Sequence, residues 1–240
     1  MQHTRLKDDI VIVPGAAVPA EALSDVMAEI FGCAATAENE MFTPAMFRHH
    51  QQIFPEGQYA AVDTSTGRVV GFTVSMLTRQ DPRQPHLDRW WQSIGEGWLT
   101  THDPRGDWMY GVESAVLAEY RGQGVGSRLM NARFDLLRRL NLRGMVAGSL
   151  IMDYGQVADD VSVEQYVQDV AAGRRYDTNL TKQLHKGFQA RGVIRNYVTD
   201  NSSRQWGVLI VWDNPDYRPA RRVVRPRQPA PDYTNAHLLR

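Results

Sequence analysis

The chain has 240 residues, enough to bury a sizeable core in one large domain or two small ones. Its 27 basic and 27 acidic residues cancel, so no strong field favours nucleic acid or an anionic membrane, and a small-molecule partner remains by elimination. The single cysteine, Cys33, excludes an intrachain disulfide and any CxxC metal or redox site, which fits a reducing cytoplasm.

Met1 to Arg5 leads into a charged stretch rather than an apolar secretory core. The longest apolar run, Met145 to Met152, is too short to span a bilayer, so no membrane attachment is expected. Asp9 to Val13 reads as a β-branched strand ended by Pro14-Gly15, and Pro19 to Phe31 has helical apolar periodicity. Thr43-Pro44 is an N-cap followed by proline at the first helical position, opening a second helix to about Gln52. Gln58 to Val62 and Arg68 to Met76 are strands joined by the hairpin-type turn Asp63-Thr64-Ser65-Thr66-Gly67. Residues 79–106, rich in Pro, Asp, Trp and Gly, read as an insertion or lid.

Trp108 to Leu117 returns to strand character and runs through Ala118-Glu119-Tyr120 into the loop Arg121-Gly122-Gln123-Gly124-Val125-Gly126. In the helix that follows, Val125, Leu129, Ala132, Leu136 and Leu140 form an apolar stripe, with Arg128, Arg133 and Arg139 off it. Arg138, Arg139 and Arg143 complement the carboxyl end of the helix dipole, and Gly144 is a candidate C′ residue. Met145 to Met152 is then a strand buried on both faces, and the β-α-β crossover makes it parallel to the strand before the loop. Helical patterns follow over Val161 to Ala172 and over Thr178 to Ala190, the latter closed by Arg191-Gly192. Val193 to Val198 and Gln205 to Trp212 are strands separated by the turn Asp200-Asn201-Ser202-Ser203. From Asn214 the chain carries five prolines and six arginines against two aspartates, and reads as an extended tail.

A glycine-rich loop between a strand and a helix exposes unpaired N–H groups in the positive field of the helix dipole, which suits a phosphate. Three patterns compete for it. A nucleotide P-loop requires lysine after its last glycine, but Ser127-Arg128 follows Gly126. A dinucleotide fingerprint, G-x-G-x-x-G, puts its last glycine on Ser127 or Leu129, depending on the start. The third pattern, [RQ]-x-x-G-x-[GA] directly after a strand, is met at every position from Arg121 to Gly126.

Through this motif the chain resembles the GNAT superfamily of acyl-CoA-dependent N-acetyltransferases. Ala118-Glu119-Tyr120, Ser127-Arg128-Leu129-Met130 and the order β-α-α-β-β-β-α-β-α-β-β from about Asp9 to Trp212 extend the resemblance. It implies a mixed α/β (α+β) fold: a mostly antiparallel twisted sheet whose central parallel pair splays to hold acyl-CoA, flanked by helices. One domain over 1–213 is expected, with insertions at 79–106 and 153–177.

The resemblance also implies site roles. Val116, Leu117 and Ala118 would pair with pantetheine amides, the Leu117 N–H being the candidate oxyanion donor. Main-chain N–H groups of Gly122, Gln123, Gly124, Val125, Gly126 and Ser127 would hold the pyrophosphate, with Arg121 adding charge. Glu113 is the candidate base, on a strand where many family members carry a glutamate. Acetyl-CoA is the expected cosubstrate, with no metal. The acceptor would be a small-molecule or protein amine attacking in a ternary complex; no nucleic acid or membrane is expected, and a homodimer is compatible.

The family's usual proton donor is a tyrosine in a pattern like L-Y-x-x-x-G-F, where this chain has Lys182-Gln183-Leu184-His185-Lys186-Gly187-Phe188 with Gln183 at the tyrosine position. Glutamine cannot donate that proton, which leaves Tyr154, Tyr176 or His185 as substitutes, or a different chemistry. Gly97 to Asp107 resembles a segment of a GNAT branch found fused to nitrilase-like hydrolases and, more distantly, acyl-loading domains of polyketide synthases. Malonyl-CoA decarboxylation with S-acyl transfer, or a non-catalytic CoA-binding module, are therefore the alternatives. His102 and Asp103 would line the acceptor side or make a turn. Trp90-Trp91 fits a core edge better than an acceptor wall, Cys33 reads as a buried packing residue, and His49-His50 lacks spaced metal partners.

Overall fold

The computed structural model describes residues 9–79 and 89–219. Met1 to Arg5, residues 80–88 of the expected insertion and residues 220–240 of the expected tail lie outside the described residues. Seven strands form one sheet: β1 (Ile10–Pro14), β2 (Tyr59–Asp63), β3 (Arg68–Thr78), β4 (Trp108–Val116), β5 (Gly144–Leu150), β6 (Gln189–Ile194) and β7 (Gly207–Asp213). Their order is β1-β2-β3-β4-β5-β7-β6, and every pairing is antiparallel except β4 with β5.

One face is covered by α1 (Ala20–Phe31), α2 (Pro44–Ile53) and the short α3 (Trp90–Ser93). Thr43 caps α2 as expected, its hydroxyl accepting from the Met46 N–H, with Pro44 in the first turn. Trp90 and Trp91 are buried beside Phe42 in this core, and the Trp90 indole N–H donates to the Val112 carbonyl at 3.0 Å. The opposite core is built from α4 (Val125–Arg139), α5 (Val163–Ala171) and α6 (Leu180–His185) packed on Met109, Met145, Val208 and Ile210.

Four sequence expectations change. Helix α4 does not run on to Gly144, which is the first residue of β5. It ends through Asn141 at φ 49°, with the Leu142 N–H returning to the Leu137 carbonyl. Arg133 is not off the apolar stripe but 3% exposed. The helix expected over Thr178 to Ala190 is only Leu180–His185, because Gly187 at φ 92° turns the chain and Gln189 already pairs with Val211. Strand β6 therefore starts four residues before the expected Val193. Finally, Cys33 is exposed rather than buried, following Gly32 at φ 69° past the end of α1.

Candidate functional site

The parallel pair is short. Only Trp108, Met109 and Tyr110 of β4 pair with Gly144, Met145 and Val146 of β5, and beyond Tyr110 the two strands separate. The cause is visible on the other edge of β4: Val74 faces Glu113 while Ser75 faces Gly111, so Val112 is an extra residue. Such a bulge bends its strand and sharpens the local twist, turning the end of β4 away from β5.

Beyond the bulge, strand alternation fixes which backbone groups face the gap. The Leu117 N–H donates to the Val70 carbonyl of β3 at 2.9 Å. Successive residues point their N–H groups to opposite edges, so Val116 and Ser114 face away from β3, toward the gap. This corrects one expectation. Leu117 has spent its donor on the sheet and has none for an oxyanion. Ala118 follows it at the start of a single 3₁₀ turn, Ala118–Tyr120. Val116 keeps its expected orientation, and Ser114, two residues earlier, presents a further N–H to the gap that sequence reasoning missed; counting back by two from Val116 finds it. At present the Arg121 Nε donates to the Val116 carbonyl at 3.0 Å, and the Ser114 N–H donates to the Glu113 carboxylate at 2.8 Å.

Glu113 is half-buried in the opening between the strands. Burial raises its carboxyl above the ordinary carboxylate range, while the Ser114 N–H and the charge of Arg133 pull in the other direction without cancelling the shift. Arg133 makes no ion pair with it. Its guanidinium donates to the Thr73 hydroxyl at 2.6 Å and to the Glu113 main-chain carbonyl, pinning β3 to the bulge from behind. Burial lowers Arg133 to about 10. Room for this side chain comes from Gly111, where a Cβ would lie 3.2 Å from the Arg133 Nη1. The position was legible in the sequence, since 133 continues the i, i+4 series from Val125 and Leu129, but its charge argued against burial.

The loop 121–127 lies beyond the open end of the gap. Gly122 and Gly124 have φ of 75° and 84°, conformations natural to glycine. Gly124 is the N-cap of α4 and supplies no side-chain cap; no acidic residue occupies the first turn. The first N–H groups of a helix have no intrahelical partner, so those of Val125, Gly126 and Ser127 point outward in the positive end of a 15-residue helix. The loop is held from below: the Tyr120 hydroxyl donates to Asp63 at 2.8 Å, the Gln123 amide to the Glu119 carbonyl at 2.7 Å, and Arg68 pairs with Glu119 at 2.9 Å.

The remaining candidates separate from this place. The Tyr154 hydroxyl donates to the Val161 carbonyl at 3.1 Å, Tyr176 is 59% exposed, and His185 is exposed on the last turn of α6. His102 accepts the Leu77 N–H at 3.1 Å and Asp103 pairs with Arg79 at 2.7 Å, both fixing the end of β3. His50 is buried against Phe42 and Phe47, its Nε2 2.7 Å from the Gly97 carbonyl, and burial lowers it to about 4. Among the described residues no three His, Cys, Asp or Glu side chains cluster as metal ligands, and no helix is long and apolar enough to cross a membrane.

Comparison with known proteins bears on family and fold. Residues 24–150 match the acetyltransferase (GNAT) family. The chain is 37% identical over 172 residues to the probable hydrolase YhcX of Bacillus subtilis, covering 71% of this chain but 33% of that protein. It is 33% identical over 171 residues to the uncharacterized N-acetyltransferase YkwB of Bacillus subtilis, covering 71% of this chain and 74% of that one. Among solved structures, the GNAT-like decarboxylase GphF, in complex with isobutyryl-CoA, superposes with a TM-score of 0.67 at 20% identity, over 85% of this chain and 98% of that one. That likeness is one of fold.

Proposed function

The chain belongs to the GNAT acetyltransferase family, and from that premise we propose that it transfers an acetyl group from acetyl-CoA to an amine, by direct attack in a ternary complex. The observation that carries the proposal is the conjunction of a β4–β5 gap, an uncapped glycine loop at its open end, and a carboxyl raised by burial within it. The N–H groups of the segment Gly122 to Ser127 hold the pyrophosphate, and Arg121 contributes charge once it leaves the Val116 carbonyl. Val116 then pairs with pantetheine, as a strand edge pairs with an extended peptide.

Ser114 takes over the part that sequence reasoning gave to Leu117: its N–H receives the thioester carbonyl and stabilises the oxyanion as the tetrahedral intermediate forms. That N–H is held by Glu113 in the structure described, so arrival of the thioester displaces the carboxylate. Displacement removes a hydrogen bond that favours the charged form, which makes Glu113 a stronger base at the moment the donor is in place. Glu113 then takes a proton from the acceptor ammonium. We read 1–213 as the unit that does this.

Release of CoA thiol from acetyl-CoA on addition of a panel of primary amines tests the proposal; absence of release with every amine, despite acetyl-CoA binding, would overturn it. The resemblance of residues 97–107 to acyl-loading domains favours a second reading, malonyl-CoA decarboxylation with transfer to a carrier thiol, although Gln183 stands where those domains carry histidine. Mass spectrometry after mixing with malonyl-CoA decides that one: with no acetyl-CoA and no acylated carrier, it fails. The partial match to YhcX, a protein named as a hydrolase, supports the resemblance of residues 97–107 to the branch fused to hydrolases.

A further inference from the structure

Two buried tyrosines meet where β4 and β5 part. Tyr110 is the last residue of β4 paired with β5, and its hydroxyl lies 3.2 Å from that of Tyr197, which comes from the connection between β6 and β7. The Tyr197 phenol also packs against Gly148, two residues past the last β5 residue paired with β4. Its phenol therefore sits at the apex of the gap.

The surrounding sequence is adapted to keep it there. A Cβ on Gly148 would lie 2.1 Å from the Tyr197 hydroxyl, and one on Gly207 would lie 2.6 Å from its ring. Neither glycine has a positive φ, so backbone conformation does not explain them; close approach of the Tyr197 ring does. The main chain of Tyr197 is held on both sides, its N–H donating to the Gln205 carbonyl at 2.9 Å and its carbonyl accepting from the Trp90 N–H at 2.8 Å. The two phenols carry two hydroxyl hydrogens and share one hydrogen bond. A donor is left over for a group that enters the gap. Burial, with a smaller contribution from the charge of Glu113, keeps both phenols protonated above the ordinary tyrosine range.

We propose that Tyr197, supplied through Tyr110, protonates the sulfur of CoA as it leaves, in the role vacated by Gln183. This rests on the acyl-transfer reading above. Glu113 passes the proton it took from the ammonium to solvent; the acceptor nitrogen then forms a bond to the thioester carbon and loses a second proton to Glu113. As the tetrahedral intermediate collapses, the carbon–sulfur bond breaks with its electron pair going to sulfur, which takes the Tyr197 proton. Tyr197 recovers a proton from Tyr110, and the proton on Glu113 returns to Tyr110 through water as the products leave, so a proton removed from the amine replaces the one delivered to the thiol. Desolvation in the gap also disfavours free thiolate and raises its proton affinity.

The test is Tyr197→Phe, which keeps the ring between Gly148 and Gly207. The thiol of bound CoA is titrated through its ultraviolet thiolate absorbance in wild type and variant. A hydrogen bond from Tyr197 to sulfur stabilises the thiolate, so its loss raises the apparent pKa of bound CoA by about one unit, while CoA affinity at neutral pH is unchanged. With an acceptor amine, Tyr197→Phe and Tyr110→Phe each lower kcat about 10²- to 10³-fold with little change in KM. Superimposable titrations in wild type and Tyr197→Phe would overturn the inference. The titration uses no acceptor, so failure of acetyl transfer to amines and failure of the Tyr197 contact give separate readouts.

Discussion

Replacing Gly124 by alanine separates the loop's conformation from the helix that follows. At φ 84° an alanine is strained by about 1–2 kcal/mol, a cost that space in the protein does not add to, since a Cβ there meets nothing within 4 Å. For a chain of this size that corresponds to a melting temperature lower by roughly 2–8 °C. The added methyl stands in the open space above the loop, and one lost charge-assisted hydrogen bond to the pyrophosphate weakens CoA binding about 10- to 150-fold. Gly126→Ala is the control. Gly126 lies inside α4 with helical φ, and its Cβ would approach only Val116, at 4.0 Å. Alanine there stabilises the helix by about 0.5–1 kcal/mol and leaves the Gly124 turn intact. Thermal unfolding and isothermal titration with CoA read both effects. If the two variants shift stability in the same direction, or if Gly124→Ala binds CoA as wild type does, the assignment of the loop is wrong.

Glu113→Gln lowers kcat about 10²- to 10⁴-fold at saturating substrates. In wild type, kcat/KM falls as pH drops through a carboxyl pKa raised by burial, a limb absent from the variant's residual rate. The stability sign is opposite: folded Glu113 holds its proton to higher pH than the unfolded chain does, so stability falls as pH rises from the unfolded value through the folded one. Glu113→Gln removes that slope in thermal unfolding across the acidic range. Gly148→Ala forces Tyr197 away and destabilises the fold by about 1–3 kcal/mol by overpacking, measured by chemical denaturation; no loss would mean that the ring does not press on β5. Arg133→Leu frees the bulge from β3, leaving the Glu113 carbonyl without its buried donor at a cost of about 1–3 kcal/mol, with kcat reduced more than CoA affinity.

Much of the sheet was legible because its signals are local. Thr43-Pro44, the turn from Asp63 to Gly67 and the loop from Arg121 to Gly126 each specify backbone conformation within a few residues, and the structure carries all three. The loop on which the proposed phosphate site rests was legible for the same reason. Its chemical half depends on tertiary geometry. The proposed shift of the oxyanion donor from Leu117 to Ser114 follows from which strand edge faces the gap, and that is set by pairing with β3. Tyr197 reaches the gap from 49 residues past Gly148, across two glycines whose purpose shows only when the ring is seen against them. Arg133 was placed off the apolar stripe because a buried arginine violates the hydrophobic pattern, while its partners, Thr73 and the Glu113 carbonyl, are distant in sequence. The Thr178 to Ala190 pattern misled because Gly187 ends the helix in the middle of an otherwise helical composition.

A crystal structure with acetyl-CoA tests the central claim most directly. The account predicts the pyrophosphate within about 2.7–3.2 Å of N–H groups in the segment Gly122 to Ser127, and the thioester carbonyl on the Ser114 N–H with Glu113 displaced from it. Acetyl-CoA bound outside the β4–β5 gap, or a thioester carbonyl that leaves the Glu113 carboxylate on the Ser114 N–H, would contradict it.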